Sequence, residues 1–203
     1  MFLLGRPSAE TIRAFIAGQH PLPFTYPEAG ASLHGAPAGY RVAHHRVRIG
    51  TGAEDFERGR RAIERWTMYD LGWGSVVPAD APIRPGETVG LVIRSWFFWS
   101  LNACRIIYVR DLEDGPVARY GFGFGTTPEH AVTGEERFTV EWERADDSVW
   151  YDIFSFSRPN HLLTRIGYPL LLHMQKRFAR DSAAAMIRAV SDDRRLHNQS
   201  TMP

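Results

Sequence analysis

Glu136-Arg137-Phe138-Thr139-Val140-Glu141-Trp142 alternates without a break. Successive side chains of an extended strand point to opposite faces, so Glu136, Phe138, Val140 and Trp142 share one side and Arg137, Thr139 and Glu141 the other. Segments of the same kind lie to either side, near 75–77, 87–97, 102–112, 117–125, 135–145 and 148–157, each short and rich in Val, Ile, Phe, Tyr and Trp. The turn clusters between them include Arg84-Pro85-Gly86, Glu113-Asp114-Gly115-Pro116 and Asp146-Asp147. Connections this short predict antiparallel hairpins, because a parallel partner needs a long crossover.

The pattern changes at both ends of this run. On its C-terminal side, Pro169 suits a first helical position, and Leu171, Met174, Phe178, Ser182, Ala185 and Ala189 recur at steps of three and four. Residues 191–203 are polar and read as a frayed tail. On the N-terminal side, Gly50-Thr51-Gly52 turns a strand over Tyr40–Ile49 into a helix near 53–69 that carries Phe56, Ile63 and Trp66 on one face. Further back, Ser8 caps a short helix with Ile12, Phe15 and Ile16 on one side, and a connection rich in Pro and Gly follows over 19–40. The division is therefore an N-terminal helix and irregular connection over 1–39, a main domain over 40–190 and a polar tail over 191–203. The class is α+β. A curved antiparallel sheet is expected to wrap around the long C-terminal helix, a helix-grip arrangement with a cavity between sheet and helix, because about 20 helical residues reach some 30 Å and can cover one face.

Composition narrows the function classes. The chain has 203 residues, 44% hydrophobic and 23% charged, with a formal net charge of +1. A near-neutral balance argues against general nucleic-acid binding. The mean hydropathy of −0.28, with no long apolar run, argues against a transmembrane segment. Met1-Phe2-Leu3-Leu4 is too short for a signal peptide, and Cys104 is the single cysteine, so a reducing cytoplasm is the expected compartment. Lys176 is the one lysine among 24 basic residues, a skew that reflects codon usage more often than anion binding.

Several phrases resemble a family found in bacteria and plants and catalogued as domain of unknown function 1990. They begin at Phe24-Thr25-Tyr26-Pro27-Glu28-Ala29-Gly30 and Leu71-Gly72-Trp73. They are densest over Trp99–Val109 and Gly121-Phe122-Gly123-Phe124-Gly125-Thr126. They continue through Pro128-Glu129-His130, Gly134–Phe138, Phe156–Pro159, Gly167-Tyr168-Pro169 and Gln175–Ser182. The family pattern has Gly after Pro128 where this chain has Glu129, so a different loop backbone is expected there. The resemblance spans roughly 24–190 and carries no assigned activity. The element order is similar to the START/Bet v 1-like helix-grip superfamily of lipid, hormone and polyketide binders, which implies a fold and leaves function to the site.

On that scaffold the expected activity is binding of a small hydrophobic or amphipathic molecule, with polar contacts from Arg105, Tyr108, Glu136, Tyr151, Arg158 and His161. Glu136 is turned inward by the alternation, and a buried carboxylate needs a partner; Arg105 and Arg158 are the natural candidates. Arg158 and His161 fall in the link from the last strand to the final helix, where a helix-grip cavity opens. Gly121, Gly123 and Gly125 strip one face of their strand, leaving room for a ligand or permitting curvature. Ordinary core packing accounts for most of the strand aromatics.

Two alternatives stand beside this. One is an enzyme of hydrolase or cyclase type with Glu136 or His161 as acid–base and Arg158 as electrostatic support. The other is a protein- or membrane-interaction module through Trp96-Phe97-Phe98-Trp99, which is either an exposed hairpin tip or a segment covered on both faces, for instance by a subunit partner in a homodimer. No cofactor is expected. No metal is expected either: His44 and His45 are adjacent and point apart on a strand, and His130 with Glu135 or Glu136 matches no established ligand spacing. Gly121-Phe122-Gly123-Phe124-Gly125 lacks the Lys of a P-loop, and Cys104 sits in an apolar context that suits an inert core residue.

Overall fold

The computed structural model of the chain describes residues 1–95, 98–160 and 167–200. Eight strands form one antiparallel sheet: β1 (Phe2–Leu3), β2 (Arg41–Thr51), β3 (Gly74–Val77), β4 (Thr88–Ser95), β5 (Phe98–Leu112), β6 (Val117–Thr126), β7 (Val132–Glu143) and β8 (Ser148–Pro159). Their order is β2-β8-β7-β6-β5-β4-β3, with β1 on β5. Every neighbour from β3 to β8 is consecutive in sequence, as hairpin connections require. Strand β2 then closes the far edge by pairing with β8, from Arg41↔Ser157 to Thr51↔Ser148.

Register carries the alternation of 136–142 across the sheet. Glu136, Phe138 and Val140 lie opposite Ser155, Ile153 and Tyr151 of β8 and opposite Phe124, Phe122 and Tyr120 of β6. These are the inner-face residues. Helix α2 (Gly52–Glu64) and the C-terminal helix α3 (Tyr168–Ser200) pack onto that face, α3 also touching the 3-10 turn Thr67–Tyr69, β2 and β8. Phe56, Ile63, Trp66, Phe122, Phe138, Tyr151 and Met186 are buried together there. Edge-on ring contacts, such as Trp66 to Phe122 at 4.9 Å, tie the 3-10 turn to the strands. The expected α+β helix-grip architecture is the observed one. Helix α3 runs on to Ser200, through the residues read from sequence as a tail.

The outer face is covered by the N-terminal residues. Helix α1 (Ala9–Gln19) begins at Ser8, whose hydroxyl accepts from Thr11 N at 3.1 Å, and lays Ile12 and Phe15 on Val92, Leu101 and Ala103. Residues 24–34 then cross β6–β8. Strand β1, two residues long, carries no periodic signal, and nothing in the sequence announces it.

The three glycines of β6 serve this outer layer. A Cβ on Gly123 would stand 2.4 Å from the Tyr108 ring, and one on Gly125 would stand 2.1 Å from the Tyr26 hydroxyl. At Gly121 it would meet the Phe138 carbonyl oxygen at 2.0 Å. The stripped face is therefore filled by two tyrosines and a neighbouring strand, and the room it makes is on the opposite side of the sheet from the inner hollow.

Candidate functional site

Helix α2 and the second half of α3 fill one half of the inner face; the first turns of α3 stand off the other half. Between them lies a cavity of about 640 Å³. Strand parity decides what lines it: Leu91 and Ile93 of β4, Asn102 of β5, Phe124 of β6, Ile153 and Ser155 of β8, and Ala43 of β2 all face inward. Helix α3 supplies Leu171, Met174, Phe178 and Ala179 from the opposite side. The wall is mainly apolar with a few polar groups, the usual make-up of a small-molecule pocket.

Glu136 lies where the cavity meets the packed core. Phe124 is across from it on β6, Ser155 on β8, and Phe138 is the next inward residue on its own strand. The Tyr69 hydroxyl donates to Glu136 Oε2 at 3.3 Å. Neither Arg105 nor Arg158 approaches the carboxyl; its partner is Tyr69. Burial raises the Glu136 carboxyl from 4.5 to about 7, with the Tyr69 hydrogen bond pulling the other way. Burial also pushes Tyr69 and the core thiol of Cys104 well above their ordinary values.

This gives a pH dependence. Between about 4.5 and 7 the folded protein holds a proton on Glu136 that the unfolded chain has released. The stabilising contribution is complete below about 4.5 and is lost as pH rises through 7, up to about 3 kcal/mol in all. Glu136→Gln is expected to be the more stable form at pH 8 and to flatten the decline between pH 5 and pH 8. Urea unfolding of both proteins at the two pH values checks it; parallel declines would show that Glu136 ionises alike in both states.

The other sequence-derived positions fall elsewhere. Arg105 donates to the carbonyls of Gln19, His20 and Leu22, at 3.1 Å to Gln19 and 2.7 Å to Leu22, and lies over Phe24 at 5.3 Å. It pins the end of α1 on the outer face. Tyr108 is also outer, bonded to Ser32 Oγ at 2.7 Å. Tyr151 is inward but wholly buried, its hydroxyl 2.8 Å from Ser182 Oγ of α3, so it anchors the helix away from the cavity. Arg158 is exposed on the outer side, over the Tyr40 ring at 4.7 Å. His161 lies outside the described residues. Of the six, Glu136 alone is placed by the described structure at the cavity, and Glu136 and Arg158 are on opposite faces of the sheet.

Trp96 and Phe97 also lie outside the described residues. Phe98 lines the cavity and meets Phe2 edge-on at 5.7 Å, while Trp99 packs on the α1 cluster, so each is partly covered on its own face. His44 and His45 do point apart: His44 pairs with Asp152 at 2.5 Å on the outer side and His45 takes the inner side beside Ile153, both residues bordering the cavity. Among the described residues no three His, Cys, Asp or Glu side chains gather as a metal site.

Among the polar cavity groups that the sequence did not single out are Ser155 and Tyr69. Ser155 was within reach, since the parity of β8 puts it with Ile153 and Tyr151. Tyr69 was not, because only the tertiary path of the 3-10 turn brings it to Glu136.

A family model described as "Domain of unknown function (DUF1990)" matches residues 25–185. A UPF0548 protein of Deinococcus radiodurans is 38% identical over 200 residues, covering 93% of this chain and 98% of its own. A UPF0548 protein of Dictyostelium discoideum is 31% identical over 220 residues, covering 98% and 100%. Among solved structures, TTHA0849 from Thermus thermophilus superposes with a TM-score of 0.53 over 75% of this chain and 99% of that one, at 12% identity. At that identity the likeness is one of fold.

Proposed function

The chain belongs to the DUF1990 family, and from that premise we propose that it is a binding protein for a small, largely apolar or amphipathic molecule held between the sheet and α3. One observation carries the reading: the 640 Å³ cavity, large enough for a molecule of metabolite or drug size, is walled by inward-facing strand residues and by the apolar side of α3. The acid–base alternative built on Glu136, His161 and Arg158 gains no support from the described residues, since Arg158 lies across the sheet from Glu136. Among the described residues no helix is long and apolar enough to cross a membrane, and a single buried cysteine suits a reducing cytoplasm.

Ala43 faces inward beside Ser155, so Ala43→Trp puts a large ring into the cavity. Binding of the apolar dye 1-anilinonaphthalene is expected to fall at least about tenfold in Ala43→Trp, with the far-ultraviolet dichroism unchanged. Native mass spectrometry of protein taken from cells is expected to show a bound small molecule that this variant lacks. Equal dye binding by both proteins would place the dye, and the reading, elsewhere.

A further inference from the structure

Resting on the reading that the cavity holds a small molecule, we infer that its floor selects ligands bearing a protonated amine, with Glu136 as the anion that meets the head group. The carboxyl is unlike the others of the sheet. Glu141 is paired with Arg119 and Arg46, Asp152 with Arg137 and His44, and Glu135 accepts three hydrogen bonds. Glu136 has the 3.3 Å bond from Tyr69 on Oε2, and among the described residues neither a donor for Oε1 nor a cation. A half-buried carboxylate that faces a mainly apolar cavity without a cation is poorly compensated, and a cationic ligand would supply the missing partner.

The surroundings favour an ammonium group over a neutral donor. Phe124 is directly across from Glu136, and the Tyr69 ring stands 6.4 Å from Phe124 and 4.8 Å from Phe178. Ring faces attract cations, more strongly where water is excluded. The Ser155 hydroxyl, across on β8, can accept a second ammonium hydrogen. Basic groups lie elsewhere along the lining, on β2 and α3: Arg41 donates to Gln175 at 3.0 Å, Arg180 pairs with Asp181 at 2.9 Å, and Lys176 is exposed. An anionic head would be met by those groups, whereas the Glu136 floor is acidic and aromatic.

Two probes of equal size separate the cases: 2-(2-naphthyl)ethylamine and 2-(2-naphthyl)ethanol, titrated calorimetrically at pH 7.5 against the wild type, Glu136→Gln and Ala43→Trp. The amine is expected to bind the wild type at least about tenfold more tightly than the alcohol. Glu136→Gln, with its fold checked by dichroism, is expected to bring the two within about twofold by weakening the amine alone. Equal binding of both probes by the wild type, or an amine preference that survives Glu136→Gln, overturns the amine assignment. It leaves the cavity reading standing provided Ala43→Trp abolishes both. Binding of neither probe overturns both readings, and amine binding that survives Ala43→Trp assigns the amine to the surface.

Discussion

Glu135→Ala is expected to lower the unfolding free energy by about 3–5 kcal/mol, among the largest losses available to a single side chain here. Glu135 is 3% exposed on the outer face. Its carboxylate accepts from the Tyr26 hydroxyl at 2.9 Å, from Gly30 N at 2.5 Å and from Ser32 N at 2.9 Å. Truncation strands three donors under the 24–34 segment, each worth about 1–3 kcal/mol when left unsatisfied, less whatever water recovers. Tyr26→Phe removes one of the three and is expected to cost about 1 kcal/mol. Urea unfolding gives both numbers. A loss below 1 kcal/mol for Glu135→Ala would mean that other contacts hold the segment.

Gly121→Ala is expected to cost about 3 kcal/mol or more, and to exceed Gly123→Ala clearly. The two sites lie on the same face of β6 but meet different neighbours. At Gly121 the new methyl would press on the Phe138 carbonyl oxygen and on Thr139 Cα at 2.8 Å, both backbone atoms of β7, which cannot yield without disturbing the β6–β7 pairing. At Gly123 it would press on the Tyr108 ring, which can swing once its bond to Ser32 is given up. Thermal or urea unfolding of the pair ranks them. Equal losses would show that β7 is as yielding as a tyrosine side chain.

The fold was legible because strand alternation and the helical spacing of the last segment are local properties, so six short strands and one long helix could be read from neighbouring residues alone. Glu136 was legible for the same reason: parity with Phe138 and Val140 turned it inward. Arg105, Tyr108 and Arg158 were misjudged as to surroundings because parity says which side a residue takes and not what covers that side. The N-terminal residues proved to coat the outer face, and their carbonyls, hydroxyls and rings engage those three side chains there. Tyr151 was inward, yet how far α3 stands off the sheet at each point along it cannot be read from spacing. The β6 glycines erred the same way, since the sequence shows a bare face without saying which layer presses on it.

The uneven seating of α3 bears on how such a chain can diverge. The turns that grip Tyr151 through Ser182, bury Met186 and set Phe178 against Tyr69 and Phe138 secure the architecture, whereas Leu171 and Met174 border the cavity. Exchanges at Leu171 and Met174 leave the anchorage intact, so this stretch of the wall can change shape without the scaffold being rebuilt.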